Sequence, residues 1–164
     1  MRTQAYLIKD FTMYRICKTF EFESGHVLSK SQDRCRFPHG HSRRIEVVLA
    51  AEKLDENDMV CNFNWIKLAL QDILHRLDHA MCINQSDPRL KDFKNMQAKL
   101  ELFQGRDPTS EVIARLIFDH LQAKLAERLE LTSQEGNVYH VPVGLRLERV
   151  RLWETSTSWA EYSK

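Results

Sequence analysis

The feature that most constrains the fold of this chain is a change in the spacing of its apolar residues. Residues 14–24 and 43–52 alternate apolar and polar side chains, which is typical of two half-buried strands. Residues 65–79 instead carry apolar side chains three and four positions apart, which indicates one face of an amphipathic helix. Because strands and helices come in successive runs and do not alternate, the sequence predicts an α+β domain.

A second helix is predicted to begin near Asp107. Asp107 is favoured as its N-cap and Pro108 as its first residue, since proline at that position loses no helical hydrogen bond. An apolar stripe then continues as far as Leu129. Asn64 is the expected N-cap of the earlier helix over residues 65–79.

Three further segments complete the predicted order. Residues 88–104 are expected to form a short helix, and residues 138–143 a strand or one arm of a hairpin. Residues 145–154 alternate again and predict a strand. Glu154 has the same parity as the apolar residues of that strand, so its carboxylate is expected to point toward the buried side.

The composition indicates one globular domain covering residues 1–164. Apolar residues make up 43% of the chain and charged residues 29%, and the net charge is +1, so nothing favours nucleic acid or an anionic membrane as a partner. No apolar stretch is long enough to span a bilayer, and the N-terminus lacks the pattern of a secretory signal. Four cysteines without a CxxC pair indicate reduced thiols, so we expect a cytoplasmic protein.

Three histidines predict a metal site. His39 and His41 lie two positions apart at the start of the second strand, so both side chains project to the same side. If the two strands pair antiparallel, the loop between them brings His26 toward this pair. Three imidazole nitrogens with an open fourth position are typical of catalytic zinc, so Zn²⁺ is the predicted cofactor. The spacing leaves open that Cys35 is a fourth ligand, or that the histidines only pack.

Cys35 also has an interpretation as an acid/base group. A thiol beside Zn²⁺ and imidazoles has a lowered pKa, and the flanking Arg34 and Arg36 are expected to lower it further. The alternative is a buried, inert cysteine, against which the charged neighbours argue. The remaining cysteines are expected to pack among apolar residues: Cys17, Cys61 and Cys82.

Two acidic residues, Asp78 and Glu154, are further candidates for a role in the chemistry. Asp78 and His79 end the first predicted helix, where Asp78 would orient His79 for proton transfer. The alternative is a histidine that the helix dipole favours. A buried, unpaired Glu154 would be costly, so it is expected to bind adjacent N–H groups of a heterocycle. A surface ion pair with Arg149 or Arg151 is the alternative.

Five motifs in this order resemble the 6-pyruvoyl-tetrahydropterin synthase family, including its bacterial branch, the 6-carboxy-tetrahydropterin synthases of queuosine biosynthesis. The resemblance covers about residues 14–162. The motifs are Phe20-Glu21-Phe22 with Ser24-Gly25-His26, Cys35-x3-His39-Gly40-His41, Leu77-Asp78-His79, Asp107-Pro108-Thr109-Ser110-Glu111, and Glu154-Thr155.

This resemblance implies a T-fold, in which an antiparallel sheet carries a helix pair on one face. It also implies a homo-oligomer with shared active sites, in which trimers close their sheets into a β-barrel and stack as hexamers. The resemblance implies that His26, His39 and His41 bind zinc and that Cys35 abstracts a proton. It implies that Asp78 and His79 form a proton relay from a neighbouring subunit, and that Glu154, often counted with this relay, anchors the pterin ring. The implied pterin pocket is lined by Thr109, Ser110 and Glu111.

The implied reaction is that of a zinc-dependent lyase acting on 7,8-dihydroneopterin triphosphate, a small-molecule pterin substrate. We expect 6-carboxy-tetrahydropterin with loss of acetaldehyde and triphosphate. A 6-pyruvoyl-tetrahydropterin synthase, and a non-catalytic pterin- or zinc-binding T-fold protein, are the alternatives.

Several segments depart from the family pattern. Residues 1–12 are expected to be an N-terminal extension and residues 85–106 an insertion, and residues 131–143 are also extra. Arg43 stands where the family usually has an aromatic or apolar residue, which suggests a more anionic substrate.

Overall fold

The structure is a computed structural model that describes residues 12–164, so the predicted N-terminal extension lies almost entirely outside the described residues. Its main sheet has six strands, and a separate sheet has two. The elements in chain order are β1 (Tyr14–His26), a 3-10 helix (Arg34–Arg36), β2 (His39–Ala51), α1 (Phe63–Leu77), β3 (Ala80–Asn84), α2 (Leu90–Asn95), β4 (Leu100–Phe103), α3 (Ser110–Ala126), β5 (Leu131–Thr132), β6 (Val138–Tyr139), β7 (Arg146–Thr155) and β8 (Ser158–Ser163).

The long hairpin of β1 and β2 forms the centre of the main sheet. The two strands pair antiparallel along their whole length, from Tyr14 opposite Ala51 to His26 opposite His39. This confirms both strands predicted from the alternation, and it extends them to the histidines at the loop end of the hairpin. The loop over residues 27–38 joins the strands at that end.

The main sheet is mixed, so the prediction of an antiparallel sheet is only partly right. The strand order is β4-β3-β1-β2-β7-β8, and β1, β2, β7 and β8 pair antiparallel. However, β3 lies parallel to β1, and β4 lies parallel to β3. Between β3 and β4, α2 carries the chain back, which makes β4 parallel to β3, whereas β1 and β3 are separated in the chain by both β2 and α1.

The two long helices α1 and α3 pack on one face of this sheet, as predicted. Their apolar stripes meet Phe22, Ile45 and Leu152 in one continuous core. Trp65 is fully buried there, and its indole N–H donates to the Leu129 carbonyl at 3.0 Å. Each fully buried large side chain of this kind contributes roughly 1.5–3 kcal/mol, so the core holds the sheet to the helices.

Both predicted helix caps are wrong by two residues. Asn62, and not Asn64, caps α1, because its side chain accepts from the Asn64 amide at 2.9 Å. Thr109, and not Asp107, caps α3. The Asp107 carboxylate is instead buried against the loop between β1 and β2, which removes it from the helix end.

The segments that were expected to be extra form small elements, of which β4 is an edge strand of the main sheet. Within residues 85–106 lie α2 and β4, of which only a short helix was expected. Residues 131–143 contribute β5 and β6, which confirms a hairpin arm near residue 138. Among the described residues, no helix is both long and apolar enough to cross a membrane.

Candidate functional site

The loop end of the β1–β2 hairpin gathers the three predicted metal ligands. His39 lies opposite His26, and His41 lies opposite Ser24. Because side chains alternate across a strand, all three imidazoles project from the face of the sheet that packs against the helices. We call these three histidines the metal group. Together with Glu154, their ligand atoms all lie within 4.8 Å of one another.

Backbone carbonyls fix the orientation of two of these rings. The Nδ1 atom of His26 lies 2.9 Å from the Pro108 carbonyl oxygen, and Nδ1 of His39 lies 2.7 Å from the Phe37 carbonyl oxygen. A carbonyl only accepts, so each of these contacts favours a proton on Nδ1, although the Arg43 Nη2 atom, a donor, also lies 3.2 Å from His26 Nδ1. With the proton on Nδ1, the Nε2 atom has a lone pair available to a metal ion, as is usual for histidine ligands.

The spacing of the Nε2 atoms fits a shared ion. His26 Nε2 and His39 Nε2 are 2.9 Å apart. Two ligands bound 2.0–2.1 Å from one tetrahedral ion would stand about 3.3 Å apart, so the pair is close to the separation needed. With both Nε2 atoms unprotonated, a cation bound to the pair would remove the repulsion between their lone pairs.

His41 supplies an orphaned polar atom at the same point. Its Nε2 is buried and makes no hydrogen bond, although the Glu154 Oε1 atom lies 3.0 Å away in poor geometry. Burial, followed by the charge of Arg43, lowers the pKa of His41, which favours the neutral ring that a metal needs. The residues present therefore fit a metal ion, and three imidazoles suit zinc among several transition metals.

Glu154 lies at the end of β7 beside the three histidines. Its Oε1 atom is 3.3 Å from His26 Nε2, and its Oε2 atom accepts from the Ser110 hydroxyl at 2.7 Å. Contact with His26, then the Ser110 bond and the charge of Arg43, lower the pKa of Glu154 to about 2. The alternative ion pair with Arg149 or Arg151 does not form, since both guanidiniums pair with Glu161. Glu154 is therefore an ionised carboxylate that faces the metal group.

Arg43 is buried behind the metal group and does not face a substrate. It is 1% exposed, and its guanidinium donates to Ser24 Oγ and Ser110 Oγ, each at 3.0 Å. Arg43 therefore presents no exposed guanidinium to a substrate, and its expected preference for a more anionic substrate stays a prediction that could act only through its charge. Arg43 lies two residues after His41 in β2, so its side chain projects from the same face of the sheet as those of His39 and His41. This spacing could have predicted from the sequence that Arg43 points toward the buried side.

Cys35 lies in the 3-10 helix of the loop over residues 27–38 and lines the same cleft as His39, His41 and Glu154. That cleft has a volume of about 590 Å³. The charge of Arg34 lowers the thiol pKa, as predicted, but larger effects outweigh it in the protein alone, so the predicted net lowering is wrong there. Burial, followed by the charge of Asp33 and a hydrogen bond with it, raises the pKa of Cys35.

The other cysteines follow the packing prediction only in part. Cys61 and Cys82 are buried, and burial raises the pKa of each thiol to about 12. Cys17 is exposed, because it has the parity of β1 that points away from the helices.

Asp78 and His79 form a bonded pair directly before β3. His79 Nδ1 lies 2.9 Å from Asp78 Oδ2, while Asp78 Oδ1 accepts from the Glu23 amide at 3.0 Å. His79 adopts a positive φ of 57° and is largely exposed. It lines a separate cleft of about 530 Å³ that also touches His41 but not Cys35. Within one chain, the predicted relay and the thiol therefore lie in different clefts.

The three residues predicted to line a pterin pocket have different environments. Thr109 caps α3 through a bond from the Val112 amide. Ser110 is buried between Arg43 and Glu154, and Glu111 is exposed in the first turn of α3. Of the three, only Ser110 contacts the residues around the metal group directly.

Sequence comparison identifies relatives along almost the whole chain. The family model described as 6-pyruvoyl tetrahydropterin synthase matches residues 15–164. A 6-carboxy-5,6,7,8-tetrahydropterin synthase from Aquifex aeolicus is 32% identical over 92% of this chain and 98% of its own length. The enzyme of the same name from Haemophilus influenzae is 30% identical over 93% of this chain and 100% of its own.

Solved structures share the fold at lower identity. An uncharacterized protein from Wolinella succinogenes superposes with a TM-score of 0.68 at 23% identity, covering 93% of this chain and 98% of that one. The 6-pyruvoyl tetrahydropterin synthase of Caenorhabditis elegans gives a TM-score of 0.61 at 18% identity, covering 94% and 97%. These neighbours confirm the predicted α+β, T-fold class for the single chain.

Proposed function

Because this chain belongs to the 6-pyruvoyl tetrahydropterin synthase family, we propose that it is a zinc-dependent lyase acting on 7,8-dihydroneopterin triphosphate. Its products would be 6-carboxy-tetrahydropterin, acetaldehyde and triphosphate. The observation that carries this proposal is the convergence of the side chains of His26, His39 and His41 beside a cleft that contains Cys35 and Glu154. The printed names of the relatives from Aquifex aeolicus and Haemophilus influenzae favour the carboxy product.

The zinc ligands in this proposal are His26, His39 and His41. A bound zinc ion would polarise the side-chain hydroxyls of the substrate and acidify the neighbouring C–H bond. The carbonyls of Pro108 and Phe37 support this role, since their contacts with Nδ1 of His26 and His39 favour the tautomer that leaves Nε2 free.

Cys35 is the proposed proton acceptor. In the protein alone its thiol pKa is raised, so the thiol is protonated near neutral pH. A divalent cation on the neighbouring histidines would supply the positive charge that lowers this pKa. We therefore expect the base to become active only in the metal-loaded protein, and Cys35 is proposed as a base and not as a fourth ligand.

Glu154 is the proposed anchor for the pterin ring. An ionised carboxylate can accept two hydrogen bonds from adjacent N–H groups of a heterocycle, much as it accepts two from arginine. The bond from Ser110 to Oε2 supports this role, because it fixes the carboxylate in one orientation. Thr109, Ser110 and Glu111 remain proposed residues of the pterin pocket.

Asp78 and His79 are proposed to act on the substrate of a neighbouring subunit. Their separation from Cys35 within one chain, together with the exposure of His79, favours this arrangement. It requires a homo-oligomer with shared active sites, which we propose is a trimer or hexamer whose sheets close into a barrel. We further propose that the protein acts in the cytoplasm, in queuosine biosynthesis, without a nucleic-acid or membrane partner.

The second candidate is a 6-pyruvoyl tetrahydropterin synthase, which the description of the matching family model favours. That enzyme would release triphosphate from the same substrate without breaking a carbon–carbon bond. A non-catalytic pterin- or zinc-binding protein is the third candidate, and the bonded Asp78–His79 pair argues against it because binding alone needs no proton relay.

Product analysis separates these three functions. Zinc-loaded protein is incubated with 7,8-dihydroneopterin triphosphate, and acetaldehyde, triphosphate and the pterin product are identified by chromatography and mass spectrometry. We expect all three products from the wild type and a loss of at least 100-fold in rate for Cys35→Ala, with Cys17→Ala as the matched control. Triphosphate with a pyruvoyl product but no acetaldehyde would favour the second candidate, and an absence of any turnover would favour the third.

A further inference from the structure

Beyond Val27, which is buried against Ile83 and Phe93, the loop that carries Cys35 has little apolar packing of its own. Phe37 is 57% exposed, and none of the residues of the 3-10 helix over Arg34–Arg36 is buried. Inside the loop, the Leu28 amide donates to the Cys35 carbonyl at 3.1 Å, and the Cys35 amide donates to Asp33 Oδ1 at 2.9 Å. These bonds shape the loop but do not attach it to the rest of the protein.

Buried polar groups from residues 84–107 make that attachment on the first arm of the loop. The Asp107 carboxylate accepts from Ser29 Oγ at 2.6 Å and from the Lys30 amide at 2.7 Å. Asn84, at the end of β3, donates to the same carboxylate at 3.0 Å. The start of the loop is therefore bonded to a carboxylate that the main sheet holds in place.

Arg89 makes the corresponding attachment on the second arm. Its Nε and Nη2 atoms donate to the two oxygens of Asp87, at 2.9 and 2.7 Å, in a bidentate pair. The Asp87 side chain is fully buried, and its amide donates to the Asn84 carbonyl at 2.9 Å. The remaining guanidinium nitrogen, Nη1, donates to the carbonyl of Arg36. That carbonyl belongs to the residue directly after Cys35.

We propose that Arg89, oriented by Asp87, is a positioning residue that holds Cys35 in the cleft beside the histidines. This assigns a role to the segment over residues 85–106, which the sequence suggested only as an insertion. The planar fork of arginine suits this role, because it can hold a carboxylate with two nitrogens and a carbonyl with the third. The inference rests on the proposed function, in which Cys35 accepts a proton.

The expected effect is a change in rate and not in substrate affinity. Displacing a catalytic group by about 1 Å can cost on the order of 100-fold in rate. Arg89→Gln removes the fork, so we expect kcat to fall by roughly 10- to 100-fold while KM changes by less than about 3-fold. Asp87→Asn, which removes the charge that orients the fork, should lower kcat in the same direction.

The test combines steady-state kinetics with limited trypsin digestion of the zinc-loaded protein. The loop contains three trypsin sites, after Lys30, Arg34 and Arg36, so cleavage there reports its attachment without any substrate. We expect cleavage in the loop to accelerate by about 10-fold in Arg89→Gln, because local opening is easier once one anchor is lost. Arg115→Gln is the matched control, since it removes an exposed ion pair with Asp119 on α3.

The outcomes distinguish this inference from the proposed function. Loop cleavage and kcat in Arg89→Gln equal to those of Arg115→Gln would overturn the positioning role, as would faster cleavage with an unchanged kcat. If the wild type shows no turnover but Arg89→Gln is cleaved faster in the loop, the proposed function fails. Arg89 then still attaches the loop to the rest of the protein, but its positioning role is overturned with the function. Accelerated cleavage together with a reduced kcat supports the inference.

Discussion

Replacing Arg43 with methionine tests whether a buried guanidinium stabilises the metal group. The substitution keeps most of the apolar stem and removes the charge. It leaves Ser24 and Ser110 without the two bonds of 3.0 Å that Arg43 donates, and it removes the positive charge nearest to Glu154 behind the histidines. The expected result is therefore a loss of stability together with a less well-ordered carboxylate.

The magnitude follows from opposing contributions. Each hydrogen bond from a charged group contributes about 1.5–3 kcal/mol, so two of them contribute about 3–6 kcal/mol. Removing a buried charge also removes a desolvation cost of several kcal/mol, yet deletion of one member of a buried charged network usually costs 3–5 kcal/mol overall. We expect Arg43→Met to lower the free energy of unfolding by about 3 kcal/mol, and Tm by roughly 6–12 °C.

The assay is urea and thermal unfolding of metal-free protein at one fixed protein concentration, because an oligomer gains stability with concentration. Arg44→Met is the matched control. Arg44 is the next residue of β2, points to the opposite face and makes an exposed pair with Glu46 at 3.2 Å, so its loss should cost less than about 1 kcal/mol. If Arg43→Met is as stable as Arg44→Met, or more stable than the wild type, the stabilising role of Arg43 is refuted.

Three further predictions concern the metal, the thiol and acid stability. Zinc at 100 times its Kd should raise the stability of the wild type by about 2.7 kcal/mol, measured as a rise in Tm after EDTA treatment and reloading, and His39→Ala should lose most of this rise. In a Cys17→Ser background, iodoacetamide should alkylate Cys35 more slowly than a free thiol in metal-free protein and faster once zinc is bound; equal rates would contradict the effect of the cation. Burial alone would raise the pKa of Asp107, but hydrogen bonds from Ser29, the Lys30 amide and Asn84 lower it overall. The stability that Asp107 contributes is therefore present above the ordinary aspartate pKa of about 3.9 and is lost as the pH falls through the lowered pKa. The free energy of unfolding of Asp107→Asn should therefore fall less with acidification than that of the wild type.

Much of the central hairpin was predictable because its signal is local. Alternation over residues 14–24 and 43–52 is a property of neighbouring residues, and the spacing of His39 and His41 decides their common face. The short strands β3 and β4 were not predicted, because β3 is buried on both faces and shows no alternation. The edge strand β8 was also missed, although Trp159 and Tyr162 suit a strand.

At the candidate site, the sequence predicted the grouping of the three histidines but not their surroundings. The direction of the Cys35 pKa depends on Asp33 and on burial within a folded loop, while the sequence drew attention to the adjacent arginines. Capping at Asp107 was wrong because a distant partner, the loop at Ser29 and Lys30, competes for the carboxylate. Contacts between residues far apart in the chain, such as Arg89 with the Arg36 carbonyl, leave no local pattern in the sequence.

The most direct test of the metal site is X-ray diffraction from zinc-loaded crystals, with anomalous data collected on both sides of the zinc absorption edge. We expect one zinc peak about 2.0–2.1 Å from the Nε2 atoms of His26, His39 and His41, with the Cys35 sulfur in the same cleft but not bonded to the ion. A peak with a sulfur ligand at about 2.3 Å would make Cys35 a structural ligand and contradict its role as a base. The absence of any peak at the three histidines would contradict the metal site itself.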